Sequence, residues 1–462
     1  MIQLRDYQSA AVARIREAYA ERSRRILLVL PTGGGKTIVF CWIGAAVAAR
    51  GKRVVVLVHR AELLEQVSKA LAGMGVEHGL IAAGHPTTEA AVQVASVATL
   101  ARRLAAGFAP PDLIVIDEAH HAVAGTWNRV IDAAPESFVL GVSATPARLD
   151  GRGLGSAFDV MVEGPTVAEL TAAGHLVPAR VFAPPERLDL SKIKVRAGEY
   201  DARQLAEAMA GGTLIGDAVA HYRRLAAGRP AVAFCASIEH SQIVAARFRG
   251  AGVAAAHVDG KTDAAERRRL IAGLGTGELR VLTNVDLIGE GVDVPAIGAV
   301  ILLRPTRSEA RYLQSVGRAL RPSAGKSEAI VLDHAGATWM HGLPDAPRAW
   351  SLADQPARRS TGRTEAPGER LRQCEACGAF EPPGTPACGT CGASLKPCPA
   401  EIQEAEAELV ERQRQQVEQV RRMDYIEVER WANTPDRLRI AARIRGYHPG
   451  WVKHRLNELE AD

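Results

Sequence analysis

The sequence predicts an α/β protein in which two parallel-sheet domains follow one another along the chain. Short apolar runs of strand length alternate with helical patterns over about the first 165 residues, and the alternation returns between Ala231 and Leu303. Two Cys-x-x-Cys pairs near the end of the chain indicate a smaller third module. We therefore expect two sheets flanked by helices, followed by a four-cysteine module and a helical tail.

Length and composition agree with an ordinary globular protein. The 462 residues have room for about three domains, and a net charge of +5 permits a polyanionic partner without demanding one. Seven cysteines, four of them close together, argue against a secreted disulfide framework. No targeting leader opens the chain, and the apolar run from Ile38 to Ala49 is too short to span a bilayer. We expect a soluble protein of a reducing compartment, with no membrane partner.

The run from Ile26 to Thr37, ILLVLPTGGGKT, predicts a buried strand that ends in a phosphate-binding loop. Pro31 ends the strand because it has no N–H for the ladder. Glycine lets the following amides turn onto an anion, Lys36 would reach the outer phosphates, and the Thr37 hydroxyl would bind magnesium above a helix N-terminus. Leu30 stands where the general pattern of this loop has its first glycine. The candidate nucleotide-binding residues of this loop are Thr32, Gly33, Gly34, Gly35, Lys36 and Thr37.

A second apolar strand, LIVIDEAH from Leu113 to His120, delivers two adjacent carboxylates to its carboxyl end. Ligands of open α/β sheets bind at this end of the strands. Asp117 can hold the magnesium ion while Glu118 activates a water molecule. A further strand from Phe138 ends in Ser143 and Thr145, whose hydroxyl groups suit the sensing of a neighbouring phosphate.

The segments LRDYQ, PTGGGKT, DEAH and SATP, in this order, resemble the first motor domain of the superfamily-two helicases and translocases, the DEAD/DEAH group. The resemblance implies a RecA-like domain over about residues 1–165. It also implies that the nucleotide is contacted by Arg5 and Gln8, with the Gln8 amide at adenine. In this family His120, Ser143 and Thr145 couple hydrolysis to movement.

Residues 166–215 are expected to form a linker with a small helical insertion around Asp201 to Met209, because glycine and proline interrupt any long element. Residues 216–350 are expected to form the second domain. Its segments TNVDLIGEGVDVP and QSVGRALR resemble the second motor domain of the same superfamily. By this resemblance Gly291 and Asp293 link ATP to the nucleic-acid track.

Gln314, Gly317, Arg318 and Arg321 are spaced so that they share one face of a helix. This face could present two guanidinium groups to a nucleotide held by the first domain, since arginine meets phosphate oxygens in a bidentate fashion. Such arginines accelerate phosphoryl transfer by a factor of about 10³ to 10⁵. By family position Arg321, with Arg318, is the arginine finger and Gln314 helps to order the attacking water.

We expect a linker at residues 351–371, and the segment 372–398 that follows it contains CEACG and CGTCG. Two such knuckles provide four thiolates for a closed tetrahedral site, which favours structural zinc; an iron–sulfur cluster and a redox dithiol are the alternatives. The predicted ligands are Cys374, Cys377, Cys388 and Cys391.

The tail, residues 399–462, predicts a charged helix and then a basic stretch from Arg437 to Asn457 that contains Tyr447 and Trp451. This stretch could bind phosphates and stack a base, and a small helical pair with its aromatic residues in a core explains it nearly as well. The whole chain is similar to bacterial RadD-type repair helicases and their phage relatives.

The resemblance implies an ATP-dependent DNA helicase or translocase that uses ATP, Mg²⁺ and Zn²⁺. It also implies a role in repair or recombination, a single-strand-binding or repair protein as the protein partner, and a location in the cytoplasm of a bacterium or of a phage-infected cell. Two alternatives stay open, an RNA helicase and a nucleotide-switched scaffold that clamps DNA with little unwinding.

Overall fold

A computed structural model describes most of the chain, and all structural statements below concern the described residues. They form two compact units, Met1–Glu381 with Gly389–Gly392 and Pro382–Cys388 with Ala393–Asp462. The described ranges are 2–86, 88–104, 109–122, 125–146, 153–184, 190, 192–196, 198–201, 203–205, 212–288, 293–353, 371–395, 420–447 and 449–459.

The first domain is a seven-stranded sheet with the order β3-β4-β2-β5-β6-β1-β7, in which every pair is parallel. Its strands are β1 (Arg25–Val29), β2 (Val54–Val58), β3 (His78–Ile81), β4 (Val92–Ser96), β5 (Leu113–Asp117), β6 (Phe138–Ser143) and β7 (Val160–Glu163). Its described helices are α1 (Asp6–Ala20), α2 (Lys36–Ala48), α3 (Ala61–Gly73), α4 (Val97–Arg103), α5 (Gly125–Asp132) and α6 (Val167–Ala172), with a 3₁₀ turn at Ala119–His121.

The central strands are buried along their whole length, because helices cover both faces of this sheet. This burial explains their uninterrupted apolar sequences, and it confirms the strands predicted at the P-loop, the acidic pair and the hydroxyl-rich turn. The strands β3 and β7 had not been predicted. They lie at the two edges of the sheet and are only four residues long, so their apolar signal is weak.

The second domain is a six-stranded sheet with the order β12-β13-β11-β14-β15-β8, again parallel throughout. Its strands are β8 (Ala179–Phe182), β11 (Ala231–Phe234), β12 (Ala255–Val258), β13 (Val281–Asn284), β14 (Ala299–Leu302) and β15 (Ala329–Asp333). Its described helices are α7 (Gly212–Leu225), α8 (Ile238–Gly250), α9 (Ala264–Thr276), α10 (Glu309–Gly317) and α11 (Ala337–His341). The prediction of two tandem RecA-like parallel-sheet domains is confirmed.

The segment 166–215 contains more regular structure than a linker. Its strand β8 joins the edge of the second sheet beside β15, about 150 residues later in the chain, and a separate antiparallel hairpin pairs β9 (Val195–Arg196) with β10 (Glu199–Tyr200). Pro178 and Pro184 flank β8 in the sequence, and its partners, β15 and Ala379, are remote along the chain, so no local pattern indicates this strand. Of the predicted insertion helix around Asp201 to Met209, residues 202 and 206–209 lie outside the described residues.

Short elements complete both units. The first unit ends in the pair β16 (Arg372–Gln373) and β17 (Phe380–Glu381). In the second unit, α12 (Tyr425–Trp431), α13 (Pro435–Arg445) and α14 (Pro449–Leu459) surround a small core that includes Val428 and Leu438. Tyr447 and Trp451 pack against this core, as the helical-pair alternative predicted. Of the charged helix predicted from Glu401 to Arg422, residues 401–419 lie outside the described residues. None of the described helices is long and apolar enough to cross a bilayer.

Candidate functional site

The P-loop lies between the end of β1 and the start of α2. Gly33 and Gly35 have φ angles of 88° and 76°, a left-handed conformation that glycine adopts without strain. Gly35 is the N-cap residue of α2, so the unpaired amides of the first helical turn face the loop. This arrangement fits the phosphate-binding role predicted for the loop, which stays a prediction.

Residues at the start of α1 contact the P-loop. The Tyr7 hydroxyl donates to the carbonyl oxygen of Gly34 at 3.0 Å, and Gln8 is buried. A Cβ atom at Gly35 would lie 2.5 Å from Gln8 Nε2, so the amide packs directly on the loop. Gln8 Oε1 accepts a hydrogen bond from the backbone N–H of Arg5 at 3.0 Å. The role of Gln8 at adenine stays a prediction.

Lys36 is the first residue of α2, directly after the loop glycines. Its Nζ lies 3.4 Å from the carbonyl oxygen of Leu30, at the floor of the loop. Burial lowers the pKa of the Lys36 ammonium below its ordinary value, although the nearby charges of Glu118 and Asp117 raise it. Binding of an anion here would restore the preference for the charged ammonium form.

The acidic pair ends β5. Asp117 Oδ1 accepts a hydrogen bond from the backbone N–H of Glu118 at 3.0 Å, and both side chains are buried. Glu118 has a φ of 50°, which is uncommon outside glycine and typical of functional sites. The His120 Nδ1 atom lies 3.5 Å from Glu118 Oε2. These positions fit the predicted metal-holding, base and coupling roles, which stay predictions.

Ser143 and Thr145 lie at the carboxyl end of β6 and are fully buried or nearly so. The Ser143 hydroxyl donates to the carbonyl oxygen of Thr145 at 2.8 Å and accepts from its backbone N–H at 3.2 Å. The small turn is therefore rigidly closed on itself beside β1, whose last residue Val29 pairs with Ser143.

The second domain reaches this site through α10 and the residues that follow it. The helix ends at Gly317 with Arg318 as its C-cap, so the prediction that Arg321 shares a helix face with Gln314 is wrong. Gln314 Nε2 donates to Glu118 Oε2 at 3.4 Å, a contact between residues 196 positions apart. A Cβ atom at Gly317 would lie 2.4 Å from Thr32 Cβ. The helix thus lies directly against the P-loop, and the missing side chain of Gly317 permits this approach.

Both predicted finger arginines lie near the loop. The positive charges of Arg318 and Arg321 contribute to lowering the pKa of Lys36, which places both guanidinium groups within its electrostatic reach. A Cβ atom at Gly33 would lie 3.1 Å from Arg321 Cγ, and the Arg321 guanidinium forms an ion pair with Asp293. Burial lowers the pKa of Arg321 to about 10, so it remains a cation at neutral pH. Gly291 lies outside the described residues.

The residues present fit a nucleoside triphosphate with Mg²⁺. Backbone amides, one buried ammonium and two guanidinium groups offer charge to phosphates, and a carboxylate and a hydroxyl offer oxygen ligands to the metal. Tyr7 and Leu176 also contact the loop but had not been singled out. Tyr7 directly precedes Gln8 in the sequence, which could have indicated it, whereas Leu176 is an ordinary apolar residue that only the fold brings to Gly33.

The four predicted metal ligands are brought together. The Sγ atoms of Cys374, Cys377, Cys388 and Cys391 all lie within 4.8 Å of one another. Hydrogen bonds from the backbone N–H of Cys377 and other nearby donors lower the pKa of the Cys374 thiol to about 7. A lowered thiol pKa favours the thiolate form that binds metals. The set is compatible with the predicted zinc site.

Two family models match most of the two domains. Residues 1–148 match the family described as "Type III restriction enzyme, res subunit", and residues 216–323 match the helicase conserved C-terminal domain. A 51.5 kDa protein of a Lactococcus phage is 34% identical over 362 residues, which cover 78% of this chain and 76% of the phage protein.

Cellular relatives carry helicase and translocase names. The putative ATP-dependent helicase IRC3 of Saccharomyces cerevisiae is 29% identical over 74% of this chain and 53% of its own length. The chain therefore spans about half the length of this yeast relative. The DNA 3'-5' translocase XPB2 of Sulfurisphaera tokodaii is 24% identical over 72% of this chain and 81% of its own length.

The same fold occurs in a solved structure. A fragment of a putative HsdR subunit of a type I restriction enzyme from Vibrio vulnificus YJ016 aligns with a TM-score of 0.59 at 20% identity. The alignment covers 73% of this chain and 65% of the fragment.

Proposed function

Because this chain belongs to the superfamily-two helicases, we propose that it is an ATP-dependent DNA helicase or translocase. The observation that carries the proposal is the hydrogen bond from Gln314 to Glu118, which joins the second domain to the acidic pair of the first. A site completed by two domains can convert the binding and hydrolysis of ATP into a relative movement of those domains.

Each predicted residue has a chemical role in this proposal. The P-loop amides and Lys36 bind the phosphates, and Thr37 and Asp117 would hold Mg²⁺, which neutralises charge on the phosphate oxygens. Glu118 accepts the proton of the attacking water, oriented with the help of Gln314. The guanidinium groups of Arg318 and Arg321 stabilise the negative charge that develops in the transition state. The chain hydrolyses ATP only when both domains contribute.

DNA is the proposed track. The name of the archaeal relative describes a DNA translocase, and the description of the matching family refers to a restriction enzyme subunit. An RNA track and a clamp with little turnover are the alternatives that the experiment below separates. Participation in DNA repair, and partnership with a single-strand-binding or repair protein, stay predictions.

The test compares ATP hydrolysis with single-stranded DNA, duplex DNA or RNA of equal length. We expect DNA to stimulate turnover more than RNA does. Lys36→Ala and Glu118→Gln should each lower stimulated kcat by about 10² or more, since a positioned base contributes roughly 10²- to 10⁴-fold. Glu21→Gln, an exposed acid at the end of α1, is the matched control. Full activity in Glu118→Gln would contradict the proposal, and tight DNA binding without turnover would favour the clamp.

We further propose that the four cysteines hold one structural Zn²⁺. Four thiolates leave no open coordination position, so the ion would contribute to folding rather than to catalysis. Metal analysis of purified protein should find about one zinc per chain. Cys374→Ser should lose most of it, whereas Cys235→Ala, which removes a buried thiol of the second domain, should keep it. Retention of full zinc in Cys374→Ser, or iron in place of zinc, would refute this proposal.

A further inference from the structure

The hairpin of β9 and β10 presents an exposed basic surface. Arg196 pairs with Glu199 and Val195 with Tyr200 in its two-residue strands. Lys192, Lys194 and Arg196 are exposed, and Val195 between them is 43% exposed. Cations that alternate with an exposed apolar residue are not required by any core, and they suit contact with a phosphate backbone.

Arg196 also forms an ion pair with Asp201, which directly follows β10, and this pair leaves the arginine accessible. Its Nε atom lies 3.0 Å from Asp201 Oδ2, while its side chain remains 75% exposed. Ion pairs this exposed contribute little to stability, so a phosphate can take the place of the carboxylate.

Glu199, on the returning strand, is buried. Its Oε2 accepts a hydrogen bond from the Thr306 hydroxyl at 2.5 Å, and its Oε1 accepts one from the backbone N–H of Arg307 at 2.9 Å. Arg311 Nη1 lies 3.8 Å from the same carboxylate. A buried carboxylate is costly to separate from such donors, so Glu199 ties the hairpin firmly to the start of α10.

Hydrogen bonds connect Thr306, which holds the Glu199 carboxylate, to α10 and so to the ATP site. Thr306 Oγ1 also accepts from the backbone N–H of Ser308 at 3.1 Å, and Ser308 caps α10 by accepting from the N–H of Arg311. Gln314, two turns further along this helix, donates to Glu118. A short helix moves as a rigid body, so a displacement of Glu199 shifts Gln314 relative to Glu118.

A cationic cavity of about 270 Å³ adjoins this anchor. Its lining includes Arg60 from the first domain and Arg304 and Arg311 from the second. All three arginines lie around Asp286: Arg304 at 2.7 Å and Arg311 at 3.7 Å from its carboxylate, and Arg60 at 3.2 Å from its carbonyl oxygen. The cavity therefore places three guanidinium groups next to Thr306, the residue that holds the Glu199 carboxylate.

We propose that this hairpin binds the nucleic-acid backbone through Lys192, Lys194 and Arg196, and that Glu199 is a positioning residue that transmits this contact to Gln314 and Glu118. The proposal rests on the proposed function, because it needs a nucleic-acid track. It adds to that function the surface that contacts the nucleic acid and the set of contacts through which nucleic-acid binding stimulates ATP hydrolysis.

The first test removes the three cations together, as Lys192→Ala, Lys194→Ala and Arg196→Ala. Half-saturating DNA for ATPase stimulation is measured between 50 and 200 mM salt. Each lost phosphate contact removes roughly 0.7 to 0.9 from the slope of log affinity against log salt, so the slope should shrink by about 2 to 3. The ATPase rate without DNA should stay at the wild-type value.

The control removes equal charge elsewhere in the second domain, as Arg223→Ala, Arg224→Ala and Arg247→Ala, all exposed on α7 and α8. It should keep the wild-type slope. A wild-type slope in the hairpin variant, or an equal loss in the control, would overturn the hairpin contact. If wild-type protein is not stimulated by any nucleic acid, the proposed function itself fails, which is a separate result.

The second test separates binding from transmission. In Glu199→Gln the affinity for DNA, measured by fluorescence anisotropy, should be unchanged, and the unstimulated ATPase rate should fall less than the DNA-stimulated rate. Maximal DNA-stimulated kcat should fall about tenfold, within the usual range for coupling between two sites. Thr306→Val, which removes the hydroxyl donor, should show the same pattern. Wild-type stimulation in both variants, or equal losses with and without DNA, would refute the positioning role.

Discussion

At the scale of single residues, an absent side chain decides whether the two halves of the ATP site can meet. Gly317 ends α10 where it touches Thr32 of the P-loop, and a Cβ atom there would approach Thr32 Cβ to 2.4 Å. Neither Cβ atom belongs to the flexible end of a side chain, so this clash could be relieved only by a shift of the backbone. Glycine is therefore needed here for proximity and not for an unusual φ.

We predict that Gly317→Ala lowers kcat of the DNA-stimulated ATPase by about 10²-fold, because a misplacement of about 1 Å costs roughly this much in rate. The thermal midpoint should change little, since the clash lies at the domain junction. Gly275→Ala in α9, where a Cβ atom would meet Val294 at an ordinary 3.5 Å, is the control and should keep full activity. Wild-type turnover in Gly317→Ala would contradict the close approach.

At the scale of an element, the short helix α11 supports α10 through a buried histidine. His341 Nε2 donates to the carbonyl oxygen of Thr306 at 2.9 Å, and its ring stacks on Tyr312 with the ring centres 5.4 Å apart. The Tyr312 hydroxyl in turn donates to the carbonyl oxygen of Gly342 at 3.0 Å. Burial lowers the pKa of His341 below its ordinary value of 6.5, so the folded protein holds this ring neutral.

This shift predicts a dependence of stability on pH. The unfolded chain binds a proton at His341 near pH 6.5, whereas the folded chain resists it, so the free energy of unfolding falls as the pH drops below about 6.5. One such group contributes at most about 1.4 kcal/mol per pH unit. Urea unfolding of wild type and His341→Gln at pH 5.5 and 7.5 should show a smaller loss in the variant. His85→Gln, at an exposed position, should behave like wild type; equal losses in all three would refute the prediction.

At the scale of the whole molecule, the two motor domains are joined by contacts outside the ATP site. Glu62 on α3 of the first domain forms an ion pair with Arg267 on α9 of the second, and both side chains are largely buried. Arg60 donates across the same junction to the carbonyl oxygen of Asp286 at 3.2 Å. These contacts stabilise the arrangement in which Gln314 reaches Glu118.

We predict that Glu62→Gln raises the KM for ATP several-fold, because loss of an ion pair worth about 1 kcal/mol favours separation of the domains. Exchange of the two charges, as Glu62→Arg with Arg267→Glu, should recover most of the loss. Glu65→Gln, exposed on the same helix, is the control. An unchanged KM in Glu62→Gln would show that this pair does not hold the domains together.

The sequence alone determined the chemistry of each half of the site and most of the central strands. The P-loop, the acidic pair and the hydroxyl-rich turn are local patterns in which a buried strand and its polar end are adjacent along the chain, so periodicity and residue type suffice to find them. The four-cysteine module was equally easy to predict, because the spacing of two Cys-x-x-Cys pairs is a local sequence pattern. Edge strands such as β3 and β8 were missed, because each is only four residues long and half-buried, so its apolar signal is weak.

The tertiary structure alone decided which of these groups meet. Gln314 and Glu118 lie 196 residues apart, and only the packing of one sheet domain against the other brings their side chains to 3.4 Å. Glu199 lay in a segment that was expected to be a linker, and nothing in its neighbours indicates that Thr306 and Arg307 hold its carboxylate. Local sequence encodes local conformation, whereas these contacts depend on long-range packing. Only that packing brings two remote stretches of chain together in one ATP site.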